Sequence, residues 1–104
     1  MKRGEIWWAN MPLPAGRRPV VLVSRDAAYA VRSSVTVVEV STKSRGISSE
    51  VPLGQRDGLP KRCVANTDNI VTIPKVWLES SIAPLRADKL EALDDALRFA
   101  LGLR

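Results

Sequence analysis

Pro19-Val20-Val21-Leu22-Val23-Ser24 and Val35-Thr36-Val37-Val38-Glu39-Val40-Ser41 decide the fold class. Both runs are short, rich in valine and separated by a more mixed stretch, so they read as the two central strands of a sheet. Upstream, Gly4 to Ala9 sets Ile6 and two tryptophans among small residues. Asn10-Met11-Pro12-Leu13-Pro14-Ala15-Gly16 then breaks the pattern with prolines and a glycine, which makes a strand followed by a loop. Downstream, Glu50 to Leu53, Cys63 to Asn66 and a short piece around Ile70 to Ile73 read as further strands, with Gly54 to Pro60 as a turn.

The C-terminal segment changes period. Leu90, Leu93, Leu97, Ala100 and Leu101 recur at three- and four-residue spacing, while Lys89, Glu91, Asp94, Asp95 and Arg98 lie mostly off that stripe. This predicts an amphipathic helix over 87 to 102, with Asp88 in its positive first turn and Gly102 at its end. Phe99 falls off the stripe and is expected to pack at the helix edge or, as the second choice, in an interface. Several strands and one helix lack the helical crossovers of a parallel sheet. The expected fold is therefore mainly β with a C-terminal helix: a small, curled, antiparallel β-barrel capped by that helix. The 104 residues suit one domain spanning 1 to 104.

Composition narrows the chemistry. With 45% hydrophobic and 26% charged residues the chain is an ordinary globular sequence. Its apolar runs are far shorter than the roughly 20 residues of a membrane helix, so no membrane association is expected and a cytoplasmic protein is the default. Cys63 is the only cysteine and has no histidine to activate it, since the chain contains none; it reads as packing. The missing histidines also remove the commonest general base and metal ligand, and the carboxylates form no close pair, so neither a metal nor another cofactor is expected. Residues 1 to 86 hold 13 Lys or Arg against 7 Asp or Glu, a surplus of 6, whereas residues 87 to 104 hold 3 against 4. A basic surface outside the helix suits a polyanion such as nucleic acid.

The order of motifs resembles the MazF/PemK mRNA-cleaving toxins of bacterial toxin-antitoxin pairs. The resemblance rests on Arg3-Gly4-Glu5-Ile6-Trp7, Arg18-Pro19-Val20-Val21-Leu22-Val23-Ser24 and Val37-Val38-Glu39-Val40-Ser41-Thr42. It continues through Gly58-Leu59-Pro60-Lys61, Asn66-Thr67-Asp68-Asn69-Ile70 and the leucine-rich ending Ala100-Leu101-Gly102-Leu103. It implies an SH3-like barrel of the PemK/CcdB type, a homodimer with RNA in a groove across its interface, and a MazE-like antitoxin peptide as partner. It also implies cleavage of single-stranded RNA by its own 2′-hydroxyl, leaving a 2′,3′-cyclic phosphate and a 5′-hydroxyl. The family's catalytic arginine and threonine fall on Arg18 and Ser41. Serine in place of threonine keeps a hydroxyl able to bond a phosphate oxygen, but leaves Thr42 as a rival.

Strand alternation puts Glu39 and Ser41 on one face and Val38, Val40 and Thr42 on the other, and the charged Glu39 marks the wetter side. Arg18 can hold two oxygens of a phosphate at once and stabilise charge on phosphorus, and Glu39 is a candidate to assist proton transfer. Arg17, Lys43 and Arg45 are candidate contacts to the RNA backbone, the last two in the hydroxyl-rich loop after Ser41. Trp7 and Trp8 point to opposite faces of one strand, and the sequence leaves open which of them enters the core; Trp8 is carried as the RNA-stacking candidate. Two rival readings remain: a non-catalytic toxin on the same barrel, of the gyrase-inhibiting type, and a plain nucleic-acid-binding barrel.

Overall fold

In the computed structural model, which describes residues 1–104, the two valine-rich runs pair with each other in the middle of a six-stranded sheet. In chain order the strands are β1 (Glu5–Asn10), β2 (Arg17–Leu22), β3 (Ser34–Ser41), β4 (Glu50–Leu53), β5 (Cys63–Pro74) and β6 (Leu78–Pro84). A one-turn helix, α1 (Ala28–Val31), separates β2 from β3, and α2 (Ala87–Leu101) follows the last strand. The spatial order is β4-β5-β3-β2-β1-β6 with every pairing antiparallel, as the missing crossovers require.

Both faces of the central strands are covered, which is why Val20-Val21-Leu22 is continuously apolar instead of alternating. All three are fully buried. Val21 joins Ile6, Val38, Val40, Val51, Leu53 and Ala65 beneath Leu93 and Ala96 of α2. Val20 and Leu22 join Ala9, Tyr29, Val35, Val37, Ile73 and Leu78 on the opposite face. The sheet curls into a half-barrel, and the turn after β4 packs against β6: a side chain on Gly58 would meet Ala83 and Ile82 at 3.2 and 3.3 Å. With φ at +88° as well, Gly58 fills a position that other residues rarely adopt.

Helix α2 ends as its sequence predicts. Gly102 is left-handed at φ +68°, its N–H donates to the Phe99 carbonyl, and that of Leu103 donates to Arg98 at 2.7 Å. This pair of bonds is the Schellman arrangement, which satisfies the last helical carbonyls. The stripe itself needs correction: Leu93 and Ala96 are the buried positions, while Leu101 is 56% exposed. Phe99 does not pack at the helix edge either, being 64% exposed.

Two strand boundaries and one whole strand also differ from expectation. Cys63–Asn66 and Ile70–Ile73 are parts of one long strand, because β3 pairs with both across a bulge in which Val38 faces Ile70 but Glu39 faces Asn66. Thr67 sits fully buried in that bulge, where its hydroxyl is 2.6 Å from the Ser49 carbonyl and 3.2 Å from that of Ala96. Strand β6, Leu-Glu-Ser-Ser-Ile-Ala-Pro, has little strand character of its own and exists through pairing with β1. No helix is long and apolar enough to cross a membrane.

Candidate active site

Arg18 and Glu39 come together because the antiparallel register of β2 and β3 puts Val20 opposite Glu39, and Arg18 and Ser41 each lie two residues beyond that pair on their strands. These are the next positions on the same face of the two strands. The Arg18 Nη1 donates to Glu39 Oε1 at 3.2 Å, with both side chains partly exposed. Its Nε and Nη2 donate to the Ala15 carbonyl at 3.3 and 3.2 Å, so the loop before β2 fixes the plane of the guanidinium. Of the five N–H bonds of an arginine, one on Nη1 and one on Nη2 are left over to meet phosphate oxygens.

The Ser41 Oγ accepts the backbone N–H of Lys43 at 3.1 Å. It thus closes the turn that starts the exposed loop, yet keeps its own proton to donate. Thr42 is exposed and lies on the other face. The loop is tied to β4 by Glu50, whose Oε1 accepts the N–H groups of Arg45 and Gly46 at 2.8 and 3.0 Å. Lys43 and Arg45 take part in none of the molecule's five ion pairs, which leaves their cations available.

The two tryptophans divide cleanly. Trp7 packs against the Val20 and Leu22 cluster, and its ring nitrogen donates to Glu5 Oε1 at 2.9 Å. Trp8 instead borders a cavity of about 200 Å³ whose other walls are Pro19, Val40, Ser41, Thr42, Leu59, Pro60, Lys61 and Cys63. Arg17 stacks on Trp8, its Cζ 4.1 Å from the ring centroid, and is held there by Glu79 at 2.9 Å. Neither residue of that ion pair lines the cavity.

Cys63 is buried, with its thiol directed at the Leu53 carbonyl at 3.8 Å. Burial first, and the nearby Asp57 carboxylate second, push the thiol above the usual cysteine range, the opposite of what a nucleophile needs. No three of the Cys, Asp and Glu side chains gather in a group able to hold a metal ion.

Sequence reasoning left out Lys61 and Arg62. Strand β5 pairs Val64 with Ser41 and Cys63 with Leu53, which carries the two preceding cations to the mouth of the site. Lys61 lines the Trp8 cavity, and Arg62 lines a neighbouring depression with Thr42 and Ser44. Neither takes part in an ion pair. The available signal was their place just before a strand paired with the one that ends at Ser41, legible only once that pairing is known.

Comparison with known proteins extends over nearly the whole chain. The family model described as PemK-like, MazF-like toxin of type II toxin-antitoxin system matches residues 2–101. The chain is 36% identical over 100 residues to a probable endoribonuclease MazF5 of Mycobacterium tuberculosis, covering 95% of this chain and 91% of that one. It is 35% identical over 103 residues to a probable endoribonuclease MazF2 of the same species, covering 98% and 99%. Among solved structures, the Mycobacterium tuberculosis toxin MazF-mt6 superposes with a TM-score of 0.89 at 32% identity, over 96% of this chain and 98% of that one. A mycobacterial endoribonuclease in complex with its cognate antitoxin gives 0.87 at 29% identity, over 100% and 97%. The chain belongs to the PemK-like, MazF-like toxins of type II toxin-antitoxin systems.

Proposed function

We propose that the chain is a toxin endoribonuclease that cuts single-stranded RNA by using the RNA's own 2′-hydroxyl. The observation that carries this reading is the placement of Arg18, with two N–H bonds uncommitted, on the same sheet face as Ser41 and Glu39. In the reaction the 2′ oxygen forms a bond to phosphorus, the bond to the 5′ oxygen breaks, and the leaving 5′ oxygen takes up a proton from solvent, so the products are a 2′,3′-cyclic phosphate and a 5′-hydroxyl. Charge builds up on the non-bridging oxygens, where the guanidinium and the Ser41 hydroxyl stabilise it. Glu39 holds Arg18 through one carboxylate oxygen, and its other oxygen is the acceptor for the 2′-hydroxyl proton. Lys43, Arg45 and Arg62 flank this centre and bind successive phosphates of a single strand.

Two partners complete the reading. The first is an acidic antitoxin peptide, in keeping with family membership and with the net charge of +5. The second is another copy of the chain. At the end of α2, Phe99, Leu101 and Leu103 are all more than half exposed, and the two leucines line a groove of about 600 Å³ with Ile70 and Leu97. Exposed apolar groups beside a groove that also carries Arg3, Arg25, Arg32, Asp94 and Arg98 suit a subunit interface.

The test is cleavage of a mixed-sequence single-stranded RNA in EDTA by purified, antitoxin-free protein, with the new ends characterised. Cyclic phosphate and 5′-hydroxyl ends are expected. Intact RNA would favour the non-catalytic toxin on the same barrel.

A further inference from the structure

We propose that the cavity between Trp8 and Lys61 receives one base of the RNA, turned out of its strand near the cut, and selects a base carrying a carbonyl over one carrying an amino group. The inference rests on the endoribonuclease reading and adds to it a site of sequence selection. Its occupant follows from size, shape and chemistry. The space is about 200 Å³ and is walled largely by flat or apolar groups, among them Trp8, Pro19, Leu59 and Pro60. Unpaired bases are commonly read in such places, stacked on an aromatic ring and hydrogen-bonded along one edge. Arg17 already occupies part of the Trp8 ring from outside the cavity, so the stacking surface that remains is the one bordering the cavity.

Ser41 and Thr42 both line this space, and Ser41 also belongs to the catalytic group. The cavity opens on the Thr42 face and meets the catalytic group only at Ser41, at the strand end, so the base that enters belongs to a nucleotide near the cut. Thr42, on the Val40 face, supplies a hydroxyl that adapts to a donor or an acceptor and so discriminates little. Lys61 does discriminate. An ammonium group donates only, and this one is not engaged by any carboxylate. Uracil and guanine present a carbonyl oxygen where cytosine and adenine present an amino group, so the amino bases would set donor against donor. A donor left facing a donor loses the bond on both sides.

The test is to map cut sites in a random-sequence single-stranded RNA pool for the wild type, Lys61→Gln and Lys61→Arg. The wild type is expected to show one position near the cut enriched in uracil or guanine. Lys61→Gln, whose amide can accept as well as donate, is expected to reduce the carbonyl-to-amino ratio there by about tenfold, and Lys61→Arg to retain it. Lys61 is exposed and outside every ion pair, so neither change threatens the fold.

A variant too slow to map is read by its affinity for the best wild-type site carrying a 2′-deoxy sugar at the cut, with either base class at the selected position. The proposal is overturned if Lys61→Gln keeps the wild-type preference, or if no such position exists; a cavity that takes an antitoxin side chain instead gives this result. A wild type that cuts no RNA at all overturns the endoribonuclease reading, and this inference with it.

Discussion

Arg18 and Glu39 face each other across β2 and β3 in a 3.2 Å ion pair, and a carbonyl of the preceding loop, that of Ala15, holds the same guanidinium from the other side. A partly exposed pair of this kind contributes only about 0 to 1 kcal/mol to stability, so its precise orientation is better explained by what the free N–H bonds do. Arg18→Ala is expected to lower kcat by about 100- to 1000-fold while leaving the melting temperature nearly unchanged. Arg18→Lys should not restore the rate, because a point charge cannot hold two phosphate oxygens in one plane. Glu39→Gln keeps an acceptor for Arg18 but no carboxylate for the 2′-hydroxyl proton. Full activity in that variant would remove Glu39 from proton transfer.

The same alternation of strand faces separates Ser41 from Thr42. Ser41→Ala is expected to reduce kcat, and Ser41→Thr to preserve it by keeping the hydroxyl. Thr42→Val should act mainly through KM, since Thr42 borders the cavity and not the Arg18 face. Single-turnover rates set beside binding affinities check the split. Equal loss of kcat in Ser41→Ala and Thr42→Val would assign the hydroxyl role to neither alone.

Much of this was legible in the chain because its local signals agree with its tertiary structure. The valine runs are strands and the leucine-spaced segment is a helix with a glycine cap. What stayed hidden depended on partners. Strand β6 has three exposed polar residues in succession, Glu79, Ser80 and Ser81, and is a strand through its pairing with β1. The bulge around Thr67 joins two apparent strands, because Ser49 and Ala96, far away in sequence, supply its hydrogen bonds. In the site, Glu39 and Ser41 could be placed on one face by alternation alone. The choice between Trp7 and Trp8, and the arrival of Lys61, required the register of neighbouring strands.

Tyr29 gives the fold an alkaline limit. Its hydroxyl donates to the Ser24 carbonyl at 3.0 Å, and burial, followed by the Asp26 carboxylate, pushes its pKa up to about 12 from 10.0. A raised pKa means that the folded state holds its proton more tightly than the unfolded chain. The resulting stability is fully present below pH 10 and is lost as pH rises toward 12. Denaturant melts between these values should show a falling midpoint in the wild type and a flatter one in Tyr29→Phe. An unchanged slope in the variant would place the alkaline loss elsewhere.

Leu93 and Leu101 lie on one helix stripe, yet Leu93 is fully buried whereas Leu101 is 56% exposed. They should therefore fail differently. Leu93→Ala removes packing between α2 and the sheet and is expected to cost about 2 to 5 kcal/mol, read as a lower denaturant midpoint. Leu101→Asp removes no core contact, so a protein that acts as a monomer should tolerate it. If a second copy covers the helix end, the same change replaces an apolar contact of the interface with a carboxylate that has to be desolvated, in a groove that also holds Arg3, Arg25, Arg32 and Arg98. Light scattering should then report a shift from dimer to monomer, with the secondary structure retained by circular dichroism. A wild type that is already monomeric at micromolar concentration, or a Leu101→Asp variant that remains a dimer, would move the subunit interface away from this groove and return Phe99, Leu101 and Leu103 to the search for the antitoxin's contact surface.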